Sequence, residues 1–215
     1  MHEFPRRLTC FVIAAAATAC SASSPAQSVP IIQPGAPGQS SRVISAETAA
    51  DLAQTHDSAA DVRFMQGMIA HHAQAIEMTS LLETRTRSAA MKRLAERIRV
   101  SQADEIMMMR EWLESRGAAV PSEHAHHAPG APLMPGMLSP EEMNRLSAAS
   151  GEAFDRLFLE YMIRHHEGAL VMVSGLFATR GAAQDSVMYA FASDVDADQR
   201  MEIARMRAML KEMQK

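Results

Sequence analysis

The sequence predicts an all-α fold, a four-helix bundle made from two copies of one helical hairpin. Three observations carry this. Apolar residues recur at helical spacing through four long segments bounded by capping residues, Gly or Pro. No stretch of useful length alternates in the manner of a strand. The second pair of long segments repeats the first.

Residues 1–19 read as an export signal. Arg6 and Arg7 form its charged start, and the apolar run L-T-C-F-V-I-A-A-A-A-T-A is too short to span a membrane as a mature helix. The junction A-T-A-C sets Cys20 directly after small residues, as in a bacterial lipoprotein box, with Ala17 where Leu is usual. Two outcomes are open: lipidation of Cys20, which would anchor the chain to a membrane, or ordinary cleavage nearby. Either places the mature chain in the periplasm or cell envelope. Residues 20–45, rich in Pro, Ser, Gln and Gly, are expected to form a flexible tether.

The first hairpin repeat is assigned to residues 46–117. A short helix over S-A-E-T-A-A-D-L-A precedes a long one that starts at Ser58, where S-A-A-D makes a capping box with Asp61, and runs to about Thr84. A second long helix begins near Ser88 and stops at Gly117. Residues 118–139 are a His/Met/Pro-rich linker, holding His124, His126 and His127 and the run M-P-G-M from Met134 to Met137. The second repeat takes residues 140–215. Ser139, Pro140 and Glu142 cap a short helix, a third long helix spans about Ser150 to Arg180, and a fourth runs from about Asp185 to Met213.

Composition narrows the chemistry. Among 215 residues, 47% are hydrophobic but only 5% aromatic, while Met reaches 18, so thioethers supply much of the apolar volume. The net charge of -4 leaves no basic field for nucleic acid, and the basic run Arg85 to Arg99 is interleaved with apolar residues as a solvated helix face would be. Cys10 lies within the leader and Cys20 at its end. The mature fold therefore has no disulfide and no thiolate, and soft-metal chemistry there must use His and Met.

The repeat carries the candidate site. Asp61, Phe64, Met68, His71, His72, Ala75 and Met78 correspond to Asp155, Phe158, Met162, His165, His166, Ala169 and Met172. The partner helices correspond as well, Gln102, Glu105, Ile106 and Met109 with Gln199, Glu202, Ile203 and Met206. Phe64, Met68, His71, Ala75, Met78 and Leu82 form a core seam, so the first His of each pair is expected on the buried stripe. The second is rotated about 100° toward the flank.

Two readings of these histidines compete. In the structural one, His71 bonds Glu105 and His165 bonds Glu202, fixing helix register. In the metal one, the doubled His pair framed by Met on an exported, thiol-free chain favours copper, because imidazole and thioether together suit Cu(I) and Met needs no deprotonation. The expected ligands are Met68 with His71 or His72, and Met162 with His165 or His166, completed by Met109 or Met206 across the hairpin. Met78 and Met172, two turns from the inward His, are expected to serve a neighbouring site or the core. Two separate half-sites are the expectation, with one shared central ion as the alternative.

Two copies of M-I-x-H-H, each followed by a helix carrying Q-x-x-E-I-x-x-M, resemble the bacterial secreted domain-of-unknown-function family 305, over about Ala46 to Met213. The resemblance implies a ferritin-like bundle and, for its CopM-like copper-binding relatives, Cu binding through His and Met in copper tolerance. It places the His-His motif on His71–His72 and His165–His166, and the motif Met on Met68 and Met162. A ferritin-like di-iron oxidase is the rival, but Met68 and Met162 stand where Glu-x-x-His would need its Glu. The expectation is a binding protein rather than an enzyme, with copper as partner. A metal-free interaction module is the third possibility. The linker, with His124, His126, His127, Met134 and Met137, is either a solvated connector or a loose accessory copper site.

Overall fold

The computed structural model describes residues 29–33, 40–53, 58–122 and 133–214. The segment read as an export signal, Cys20 and the linker histidines His124, His126 and His127 lie outside the described residues. The chain divides into two compact units, Met1–Ala53 and Gln54–Lys215. In the first, β1 (Ile31–Gln33) pairs antiparallel with β2 (Arg42–Ile44), Ile31 opposite Ile44, and α1 (Ala46–Ala53) follows. Within the stretch expected to be a flexible tether lies this small ribbon, because Ile31, Ile32, Val43 and Ile44 favour the extended backbone. Helix α1 belongs to this unit, and the first long helix opens after its cap at Ser58.

The second unit is helical: α2 (Ala59–Ser80), α3 (Leu82–Arg85), α4 (Ala89–Ser115), α5 (Pro140–Ala148), α6 (Gly151–Ala178) and α7 (Ser186–Glu212). The starts follow from local chemistry. Ser58 and Asp61 close a reciprocal capping box on α2, as Ser139 and Glu142 do on α5. Ser88 accepts from the Met91 N–H at the start of α4, and Asp185 accepts from Val187 and Met188 at the start of α7. The first long helix is interrupted at Leu81, so residues 82–85 form a separate turn of helix.

Helix α2 packs on α4, α6 packs on α7, and α2 and α6 face each other across the centre. The core is split in two. One apolar cluster joins the first half of α2 (Phe64, Met65, Met68, Ile69) to the last half of α4, the last half of α6 and the first half of α7. The other joins the last half of α2 (Ala75, Met78) to the first halves of α4 and α6 and the end of α7. Both hairpins are therefore antiparallel, and α2 also runs antiparallel to α6. The result is the expected ferritin-like four-helix bundle of two repeated hairpins.

The repeated Asp has a structural use. Asp61 accepts the Ala183 N–H at 2.8 Å, tying the start of the first hairpin to the α6–α7 turn. Its counterpart Asp155 is also buried, and burial raises its pKa while Thr86, at the α3–α4 turn, opposes that rise.

Candidate metal centre

Between the two apolar halves lies one polar layer. On α2 it falls between Met68 and Ala75, on α4 between Ile98 and Ile106, on α6 between Met162 and Ala169, and on α7 between Val195 and Met206. His71, His72, His165, His166, Gln102 and Gln199 fill it, each no more than 2% exposed, with Glu202 at 7% and Glu105 less deeply buried at its edge. Buried polar groups in such a layer need partners.

The histidines divide the work differently from the structural reading of the sequence. His72 Nε2–H donates to Glu105 at 2.5 Å, and His166 Nε2–H donates to Glu202 at 2.7 Å. The carboxylates thus hold the second His of each pair, not His71 and His165. The reason is angular: the rotation between neighbouring residues turns the second ring toward the partner helix of its own hairpin. The first ring is left facing the opposite hairpin. His71 and His165 accordingly meet at the centre, ring centroids 3.9 Å apart and planes inclined at 39°.

His71 has a further partner. Its Nε2 lies 3.0 Å from the carbonyl oxygen of Pro135, which can only accept, so Nε2 carries the proton. Pro135 belongs to the M-P-G-M run, which the sequence left as part of an irregular linker. The run is instead strapped across α2 and α6. The Leu138 N–H donates to Gln74 Oε1 and Gln74 Nε2 donates to the Leu138 carbonyl, at 2.7 and 2.9 Å. Gly136, at φ +78°, rests against the backbone of Arg164 and Gly168, and a Cβ on Gly168 would overlap the Pro135 carbonyl. The mid-helix Gly168, directly after H-H-E, was the sequence signal for this close approach. Gln74 carried no such signal.

Burial governs the electrostatics. Desolvation lowers the His71 pKa to about 3, with the neighbouring His72 and His166 adding to the effect. Desolvation likewise drives His165 well below its ordinary value, assisted by His71, His166 and His72, while the nearby His71 backbone opposes weakly without reaching hydrogen-bond geometry. Both central rings are neutral, the form in which imidazole binds metal. Their nitrogens have nothing else to do: Nδ1 of His71, His72 and His166, and both nitrogens of His165, lack any protein partner. The side-chain amide of Gln102 is likewise unpartnered.

The methionines sort by half. Met68 and Met109 share one apolar cluster, with Met172 packed against it, whereas Met162, Met206 and Met78 share the other. Each motif Met therefore lies with the partner-helix Met of its own hairpin and with the plus-seven Met of the opposite hairpin. Among the described residues, no three His, Cys, Asp or Glu side chains are gathered to hold a metal ion. What the layer offers is neutral imidazole, between two apolar halves that hold these methionines. Outside the layer, a cavity of about 370 Å³ opens between α4 and α7, lined by Arg97, Ser101, Asp198 and Glu202 among others. It brings solvent to the carboxylate that holds His166.

The chain is similar in sequence and fold to known proteins. The family described as Domain of unknown function (DUF305) matches residues 61–210. A family member from Streptomyces coelicolor, described as secreted, is 30% identical with a TM-score of 0.63, covering 72% of this chain and 93% of its own. A fragment from Deinococcus radiodurans is 30% identical with a TM-score of 0.62, covering 73% of this chain and 98% of its own. CopM in its Cu(I)-bound form is 27% identical with a TM-score of 0.56, covering 71% of this chain and 96% of its own. CopM is also known in Cu(II)-bound, Ag-bound and apo forms. None of the curated proteins matches this chain. With its doubled His pair, its two-hairpin bundle and a family match across nearly the whole helical unit, the chain belongs to the DUF305 family.

Proposed function

We propose that this protein is an exported copper-binding protein of the cell envelope, holding Cu(I) at the histidine layer with methionine thioethers, rather than an enzyme. The observation that carries the reading is the set of unpartnered imidazole nitrogens in a fully buried layer. Left so, each such group costs about 1–3 kcal/mol, a penalty that a bound ion would offset. The copper- and silver-bound forms of CopM support the choice of ion. The absence of Cys after Cys20 leaves thioether and imidazole as the soft donors of the helical unit. Met68 and Met109 lie in the apolar half on one side of the layer, and Met162 and Met206 in the half on the other. Glu105 and Glu202 would orient the outer rings as carboxylates behind metal-bound histidines do. The export signal and Cys20 would deliver and tether this binding unit outside the cytoplasm, for copper tolerance or handling.

A purely structural role is favoured by the His72–Glu105 and His166–Glu202 pairs. Together with the His71–Pro135 bond it accounts for one nitrogen on three of the four rings, and it leaves Nδ1 of those three and both nitrogens of His165 without a partner. Competition for Cu(I) against a chromophoric chelator separates the readings. Because His71 and His165 touch, both His71→Ala/His72→Ala and His165→Ala/His166→Ala should weaken binding by tenfold or more, about 1.4 kcal/mol. The quadruple variant should lose it. Undiminished affinity in a folded quadruple variant would establish the structural role instead.

A further inference from the structure

The two hairpins repeat, but their outer surfaces do not. Gly67 sits one turn before His71, and the equivalent place before His165 is Tyr161. Around Tyr161 the bundle is closed. The Arg164 guanidinium lies 5.1 Å from the Tyr161 ring centre, and it donates to both oxygens of Glu142 on α5 at 2.7 and 2.8 Å. Met78, in the second apolar half with Leu138 and Leu146, is wholly buried. Its counterpart Met172 is only partly buried. At the Gly67 end the cover is the M-P-G-M strap, and the side chain it lays there is a thioether.

Gly67 makes room for two of them. A Cβ at Gly67 would stand 3.1 Å from Met134 Sδ and 3.4 Å from the terminal methyl of Met172. Gly inside a helix lowers helix stability relative to Ala, and here no positive φ requires it. The glycine is explained by the cradle. Met134 comes from the strap and Met172 from α6, so two chain segments bring their thioethers together over α2. The next strap residue, Pro135, is the one whose carbonyl holds His71.

We infer that Met134 and Met172 form a second, outer site for a soft monovalent ion, Cu(I) or Ag(I), cradled on Gly67 at the strap end of the histidine layer. Thioether is a ligand for such ions and a poor one for Zn, Mg or Ca. The half-exposed position lets an ion bind without opening the core. The strap then links this site to His71 through one peptide unit. As a station serving the layer, the outer site rests on the reading of that layer as a copper centre; as a binding site it stands on the Gly67 cradle alone.

Silver nitrate titrated into the full chain labelled with 13C at the methionine methyls tests this directly. Met134→Leu and Met172→Leu, both close in volume, assign the two resonances. Both methyls should shift together as Ag(I) is added. Met134→Leu should abolish the Met172 response and remove one bound equivalent, while the histidine ring signals still respond. Methyls of Met134 and Met172 that stay unmoved while the ring signals shift would overturn the outer site and leave the layer intact. A Met172 response that survives Met134→Leu would also overturn it. Methyl shifts without any ring response would establish the outer site and remove the copper reading of the layer. Zn(II) added in place of Ag(I) should leave both methyls unmoved, and an equal response to Zn(II) would overturn the assignment to a soft ion.

Discussion

His71 shows how one contact decides what a ring offers. Its proton is held at Nε2 by a carbonyl, and the ring is neutral because burial opposes charging, so the lone pair is at Nδ1. The same burial makes the fold sensitive to acid. The unfolded chain protonates this His near 6.5, whereas the folded one does so only near 3. Between those values the unfolded state binds a proton that the native state refuses, so stability falls as pH drops through 6.5 and is lost progressively down to 3. At pH 5, where most carboxylates are still charged, His71 alone should contribute a loss of about 2 kcal/mol. His165 adds to it in the same direction. Urea midpoints of the metal-free protein at pH 7.5 and 5 check this. Equal midpoints would mean that the central rings are not buried in the neutral form.

Among the elements, the strap from Met134 to Leu138 matters most to the site, although it is neither helix nor strand. Its backbone touches the bundle where α6 has no side chain, at Gly168, and Gln74 ties both ends of the Leu138 peptide. Gly168→Ala should therefore push the Pro135 carbonyl away from α6. Overpacking of this kind costs about 1–3 kcal/mol, against a gain in helix propensity of about 1 kcal/mol. The net expectation is destabilisation, with the His71–Pro135 bond broken and the His71 ring resonances shifted. A variant more stable than wild type, with those resonances unmoved, would show that the strap does not rest on α6. The caps belong to this scale too. Ser58, Ser88, Ser139 and Asp185 each satisfy N–H groups that their helices leave unbonded.

For the whole molecule, the polar layer is a break in what could have been one continuous core. Two apolar clusters are held apart by a sheet of imidazole, amide and carboxylate groups, several without partners. Stability is given up at the centre of the bundle, where a merely structural protein would place Leu or Ile. His165 is the clearest case, since neither nitrogen has a hydrogen-bond partner. His165→Leu should raise the stability of the metal-free protein by about 1–3 kcal/mol and lower Cu(I) affinity. Chemical denaturation with and without Cu(I) measures both. A destabilised His165→Leu protein would show that the ring is held by interactions worth more than apolar packing.

Much of this was legible in the chain. Helical spacing, the Ser and Asp caps and the doubled M-I-x-H-H were enough to determine four long helices, their approximate ends and the repeat that pairs them. They also placed His71, His165, Gln102, Gln199, Met68 and Met162 on buried stripes, because periodicity fixes where a side chain stands around its own helix. Periodicity does not say what stands opposite. That His72 and His166 take the glutamates, that His71 meets His165, and that Met78 joins Met162 and Met206 depend on how closely α2 approaches α6 and at what level. The strap was hidden for the same reason. Its bonds to Gln74 and His71 span 64 residues, and it was decided by surface left bare at Gly67 and Gly168, which only the packed bundle brings together.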